Sequence, residues 1–128
     1  MRKEQRFFKC KECGNVVGLV VDAGVNVDCC GGKMVELIPN TTEAAVEKHL
    51  PVVEVIGDVV KVNVGSVDHP MIPEHYIEWI YIETEKGGQR KNLSPGEEPR
   101  AVFVLKDDKV LAVYEYCNLH GLWKTEVK

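Results

Sequence analysis

From Val52 onward the chain is written in short runs of β-branched and aromatic residues separated by Gly, Asp and Pro. VVEVI (52–56) and VVKVNV (59–64) flank Gly57-Asp58, a two-residue turn, and predict a hairpin. IEWIYIE (77–83) reads as a further strand, and KGGQRKNLSPGEEP (86–99) as a polar loop, because it lacks any apolar alternation. AVFVL (101–105) and VLAVYEY (110–116) flank Lys106 to Lys109 and predict a second hairpin turning at Asp107-Asp108. Short strands with no helices between them imply an antiparallel β-sandwich of immunoglobulin-like architecture over residues 51–128. Tyr76, Trp79, Tyr81, Tyr114, Tyr116 and Trp123 are expected to pack its core.

The pattern before Val52 differs. PNTTEAAVEKHLP (39–51) is bounded by prolines, offers Asn40, Thr41 and Thr42 as caps, and predicts one or two helical turns at Glu43-Ala44-Ala45. Residues 39–50 therefore read as a linker with a short helix that carries Glu47, Lys48 and His49. Residues 1–38 are too few to bury a self-sufficient core, so this segment is expected to need a metal ion and a neighbouring subunit.

Four cysteines in that first segment supply the ligands. Cys10 and Cys13 form a Cys-x-x-Cys followed by Gly14, a tight turn that lets both sulfurs face one point. Cys29 and Cys30 are adjacent, so the backbone must turn sharply for both to reach one ion, and Gly31 and Gly32 offer that freedom. Four thiolates make a tetrahedral all-sulfur site for zinc or a single iron, and spacing alone does not choose between them.

Charge and composition exclude other classes. A net charge of −4 without a long basic run argues against a nucleic-acid partner. The start, MRKEQRFFKCKECG, has no apolar leader region, and no stretch approaches a membrane span. The expected compartment is the cytoplasm, where five cysteines read as ligands or reactive thiols before disulfides.

A second ligand set is spread along the chain. HPMIPEH (69–75) places His69 and His75 around two prolines that forbid a helix interior, in what reads as a stiff, extended loop. YCNLHGLWK (116–124) puts Cys117 and His120 where a strand leaves its sheet. All four histidines, His49, His69, His75 and His120, are expected in loops at strand ends, and Cys117 is the cysteine left over from the first cluster. Four imidazoles and one thiolate exceed what a structural zinc requires; they suit a square pyramid with one open position. A thiolate opposite that position pushes electron density through an iron(II) ion, which points to redox chemistry on a small oxygen species. Two rivals stand beside this reading. A blue-copper carrier also combines a sandwich, an early histidine and a late Cys-x-x-His, but no methionine follows His120. A zinc-binding interaction module would leave the second set without redox work.

The ordered motifs Cys-x-x-Cys, Cys-Cys, Glu47-Lys48-His49, His69-Pro-Met-x-x-x-His75-Tyr-Ile and Cys117-Asn-x-His120-Gly resemble those of desulfoferrodoxin, the two-iron superoxide reductase family. The resemblance runs across nearly the whole chain. It implies a rubredoxin-like or desulforedoxin-like four-cysteine iron domain over residues 1–38, with Cys10, Cys13, Cys29 and Cys30 as ligands, ahead of the sandwich. It implies a catalytic iron bound equatorially by His49, His69, His75 and His120 and axially by Cys117, with Glu47 ligating the oxidised ion and Lys48 serving the reaction. The implied chemistry reduces superoxide to hydrogen peroxide without releasing dioxygen, in a homodimer re-reduced by rubredoxin or a similar carrier. Some members lack the first cluster, so its iron is expected to be accessory.

Overall fold

The computed structural model describes residues 4–128; the first three residues of the expected metal domain lie outside the described ones. The chain divides into two compact units, one ending at Ile38 and the other beginning at Pro39.

In the first unit, β1 (Phe7–Lys9) pairs antiparallel with both β2 (Val16–Gly18) and β5 (Val35–Glu36), and β3 (Asp28–Cys29) pairs with β4 (Gly32–Lys33). Its core is small. Phe8, Cys10 and Met34 are buried, with Val17, Leu19, Val27 and Cys29 packed against them. Val20, Val21 and Val25 stand exposed. Arg6 ties the ends together, donating to Glu36 Oε1 at 2.9 Å and to Asp22 Oδ2 at 3.1 Å.

The second unit opens with α1 (Val46–His49), followed by β6 (Pro51–Ile56), β7 (Val59–Val64), β8 (Ile77–Thr84), β9 (Gly87–Asn92), β10 (Arg100–Val104), β11 (Val110–Cys117) and β12 (Gly121–Glu126). The strands form two antiparallel sheets, ordered β10-β7-β6 and β12-β11-β8-β9. Between them lie Val60, Val62 and Val64 of β7, Ile80 and Ile82 of β8, Phe103 of β10 and Val113 of β11. This is the expected antiparallel sandwich.

Four local expectations need correction. The helix starts at Val46, not at Glu43, and Ala45 caps it without a side-chain hydrogen bond. Asn40 is not a cap: at φ +63° it turns its amide to β12, donating to Lys124 O at 3.1 Å and accepting from Lys124 N at 2.8 Å. The expected polar loop contains β9, an edge strand whose six residues are all exposed. It pairs with β8 from Trp79↔Asn92 to Thr84↔Gly87. Finally, β10 and β11 do not form a hairpin. β10 pairs with β7 while β11 pairs with β8 and β12, so residues 105–109 carry the chain from one sheet to the other.

Candidate metal centres

The first unit gathers its four cysteines. The sulfurs of Cys10, Cys13, Cys29 and Cys30 all lie within 4.8 Å of one another. Cys10 N donates to Asn15 O at 2.8 Å and Gly14 N to Cys10 O at 2.9 Å, which folds the Cys-x-x-Cys turn. Gly14 sits at φ +82°, where a Cβ is strained. At the other pair the left-handed residues are Cys30 (φ 53°) and Gly31 (φ 77°), giving β3 and β4 a two-residue turn of the primed kind. The freedom expected of Gly31 and Gly32 is shared differently: Cys30 itself takes part of it.

The thiols are electrostatically unequal. The Cys13 backbone amide, more than any other group, pulls Cys10 down to about 6. Cys10 and Cys13 in turn push Cys30 up to about 12, and they raise Cys29 as well. One sulfur ionises easily and then opposes ionisation of its neighbours. A cation at the centre removes that opposition, since thiolates bind metal in the deprotonated form.

The second unit gathers the histidines. His49 ends α1, so it lies on a helix and not in a loop; His69 and His75 bracket the β7–β8 connection; Cys117 ends β11 and His120 precedes β12. The HPMIPEH segment is not extended. Ile72 and His75 exchange backbone hydrogen bonds at 3.1 and 3.0 Å, closing a turn over Pro73 and Glu74 that brings the His75 ring to 4.5 Å from that of His69. Where Cys117 leaves the sheet, the β11–β8 register shifts between Tyr116 and Cys117, and such an irregularity re-aims a side chain. One donor atom from each of His49, His69, His75 and Cys117 falls within a 4.8 Å set. His120 Nδ1 joins them, 3.1 Å from His49 Nε2 and 3.9 Å from Cys117 Sγ.

The lone pairs decide whether this set suits an ion. His49 Nδ1 donates to Ala45 O at 2.8 Å and His69 Nδ1 to Pro70 O at 2.7 Å; a carbonyl can only accept, so both protons sit on Nδ1. Each Nε2 of these neutral rings therefore turns a lone pair toward the cluster. The Nε2 atoms of His69 and His75 are buried and have no hydrogen-bond partner. An unsatisfied buried polar atom costs about 1–3 kcal/mol. Protonation does not relieve it: burial lowers the affinity of all three rings for protons and brings His69 down to about 4. A divalent cation satisfies every one of these atoms. Burial pushes the Cys117 thiol up, and the amides of Leu119 and His120 oppose that shift by favouring the thiolate.

Glu47 and Lys48 are exposed on α1 beside His49. The loop after β7 fixes this helix: Val67 N donates to Glu47 O at 2.9 Å and Ser66 Oγ to the same oxygen at 3.2 Å. Trp123 is expected in the core. It is buried, but it also forms a wall of the site, stacked 5.0 Å from the His49 ring and donating from Nε1 to His120 O at 3.1 Å. The only signal for that role was its place three residues after His120. Glu115 is a further group that no sequence motif marks. It is fully buried with neither oxygen partnered, and burial alone pushes its carboxyl well above the usual range.

A β-sandwich that draws four imidazoles and a thiol together, preceded in sequence by a four-sulfur unit, defines a metalloprotein with two separate metal-binding groups. Residues 41–126 match the family model described as Desulfoferrodoxin. The desulfoferrodoxin of Nitratidesulfovibrio vulgaris is 44% identical over 126 residues, covering 98% of this chain and 99% of that relative. A superoxide reductase of Pyrococcus horikoshii is 44% identical over 101 residues, covering 64% of this chain and 87% of that one. Among solved structures, the superoxide reductase from Treponema pallidum superposes with a TM-score of 0.82 at 46% identity, covering 97% of this chain and all of the other. The chain belongs to the desulfoferrodoxin family.

Proposed function

We propose that this protein is a superoxide reductase that adds one electron and two protons to superoxide, giving hydrogen peroxide and no dioxygen. The observation that carries the reading is the convergence of His49, His69, His75, His120 and Cys117, with buried, unpartnered Nε2 atoms on His69 and His75. These five residues are the ligands of the catalytic iron. Bound iron(II) supplies the single electron, and the thiolate of Cys117 favours giving it up.

The chain's own residues do the rest. Ala45 O and Pro70 O hold His49 and His69 in the tautomer that presents Nε2. Trp123 covers one side of His49 and keeps water from it. Lys48 is exposed beside the site and its charge acts on both His49 and His75, so it draws the substrate anion in. Water held near its ammonium delivers the protons. Glu47, exposed on the same helix, offers a carboxylate to the oxidised ion.

Cys10, Cys13, Cys29 and Cys30 hold a second iron, which is accessory; it lies outside the residues that the family model matches. Rubredoxin or a similar small carrier returns the electron. The cytoplasm is the compartment this reading favours, since it uses all five cysteines as metal ligands. Among the described residues, no helix is long and apolar enough to cross a membrane. A homodimer is the favoured assembly, because the small first unit leaves Val20, Val21 and Val25 exposed.

Metal analysis joined to the visible spectrum tests the proposal. Two irons per chain, each with thiolate-to-iron charge-transfer bands, are expected, together with one peroxide formed per superoxide consumed by the reduced protein. Cys117→Ser should remove the band of the catalytic iron and stop peroxide formation. Cys13→Ser should remove or weaken only the other iron and leave superoxide reduction intact after chemical pre-reduction. Stoichiometric zinc at both sites in protein from its native host overturns the reading.

A further inference from the structure

We infer that Asn118 is a positioning residue that sets where His75 stands relative to Cys117 and His120; the inference rests on the proposed ligand set. Asn118 directly follows Cys117, yet its hydrogen bonds reach across to the His75 turn. Its Oδ1 accepts from Tyr76 N at 2.9 Å, its Nδ2 donates to Glu74 O at 3.1 Å, and its own backbone N donates to Tyr76 O at 3.2 Å. Both chain neighbours of His75 are thus held by one residue.

The need for such a clamp follows from the fold. The β11–β8 ladder is irregular at this point, with a register shift before the Cys117↔Ile77 pair. Backbone pairing alone therefore does not fix the turn that carries His75. That turn is closed on itself by the Ile72–His75 exchange, so its own hydrogen bonds do not set where it stands relative to β11. The carboxamide of Asn118 donates and accepts at once, taking the part of a strand partner where the regular ladder has stopped. Aspartate keeps only the acceptor and alanine keeps neither. Groups that orient metal ligands from behind typically change metal affinity or activity by about 10- to 100-fold when removed.

The test uses the whole iron-loaded chain, with Asn118→Ala, Asn118→Asp and, as a control for lost stability, Val62→Ala, which opens the core at a position outside the ligand set. Three readouts are compared: the rate of iron loss to a chelator, the position of the thiolate-to-iron charge-transfer band, and hydrogen exchange at the Tyr76 amide in metal-free protein. Asn118→Ala should lose the catalytic iron roughly 10- to 100-fold faster and shift the band. The Tyr76 amide should exchange up to about tenfold faster, as expected for loss of a hydrogen bond worth about 0.5–1.5 kcal/mol. Asn118→Asp should fall between, since it still accepts from Tyr76 N. Val62→Ala should lower the unfolding temperature while leaving the iron-loss rate and the band unchanged. An Asn118→Ala protein that matches Val62→Ala in iron retention and spectrum overturns the role. A wild-type chain without the thiolate band overturns the functional reading and this role with it.

Discussion

Nε2 of His49 stands 3.1 Å from Nδ1 of His120, and the two rings meet edge to face with centroids 4.9 Å apart. The Nδ1 proton of His49 is committed to Ala45 O, so its Nε2 can only accept. In the metal-free protein His120 must then put its proton on Nδ1, and binding an ion must displace that proton from the ring nitrogen. His69 and His75 have no such internal partner at Nε2. The site therefore costs stability until it is filled.

That cost can be measured by removing it. His75→Phe keeps the ring's bulk and deletes the unpartnered nitrogen. The metal-free variant should be at least as stable as metal-free wild type, with a gain of up to about 1–3 kcal/mol. It should also lose most of the rise in unfolding temperature that iron gives the wild type. Calorimetry with and without iron checks both. A metal-free variant markedly less stable than wild type contradicts the account.

Gly65 supports the other end of the site. A Cβ there would meet Glu47 O at 2.6 Å and Leu50 O at 3.0 Å, so the loop after β7 and α1 are in backbone contact. Gly65→Ala must push away the helix that carries Glu47, Lys48 and His49. The expected cost is about 1–3 kcal/mol of stability. Iron affinity should fall as well, since His49 moves with its helix. A variant with wild-type iron retention shows that the helix relaxes without moving His49.

These two residues also show what could be read from the chain. His75 was legible because imidazoles are rare here and all four fall between strands or next to one. Gly65 was not, because nothing in its neighbourhood says which backbone passes over it. The β6–β7 hairpin was legible from β-branched runs on either side of Gly57-Asp58. β9 was hidden because Gly87 to Asn92 is an edge with no buried face, held by its ladder and not by apolar burial. Alternation in β10 and β11 revealed strands but not partners: it reports a face, and the sheet each strand joins is decided by long-range packing. Trp123 was read as core because a side chain walling a metal site has the same apolar signature as one filling a sandwich.

In the first unit, Arg6 supplies a pH-dependent tie. Its hydrogen bond holds the Glu36 carboxyl below the usual range. A carboxylate whose pKa is depressed by folding stabilises the fold fully above its ordinary value near 4.5, and that stabilisation fades as pH falls through the depressed value. The guanidinium and the Glu36 carboxylate are each about a third exposed, at 34%, so solvent screens the pair. Arg6→Gln should lower stability slightly at neutral pH and progressively less below pH about 4.5. Unfolding followed through the four-sulfur absorption at a series of pH values checks this. A difference between wild type and variant that grows on acidification reverses the sign and refutes it.

Lys48 poses the problem of attraction. The chain carries a net charge of −4 and the proposed substrate is an anion, so the mean field opposes encounter. A local cation must reverse that field at the site, and such focusing raises association rates by about 10- to 1,000-fold. Lys48 is exposed on α1, and its charge acts on both His49 and His75. Lys48→Ala should therefore slow the second-order reaction with superoxide at least about tenfold at low salt. Added salt should slow the wild type more than the variant, because the steering charge is what salt screens. If Glu47 meets only the oxidised ion, as proposed, Glu47→Ala should leave that step nearly unchanged and instead alter the spectrum of the oxidised iron. Pulse radiolysis across ionic strength separates the two residues. Equal rates and equal salt slopes for wild type and Lys48→Ala would return Lys48 to the solvated surface.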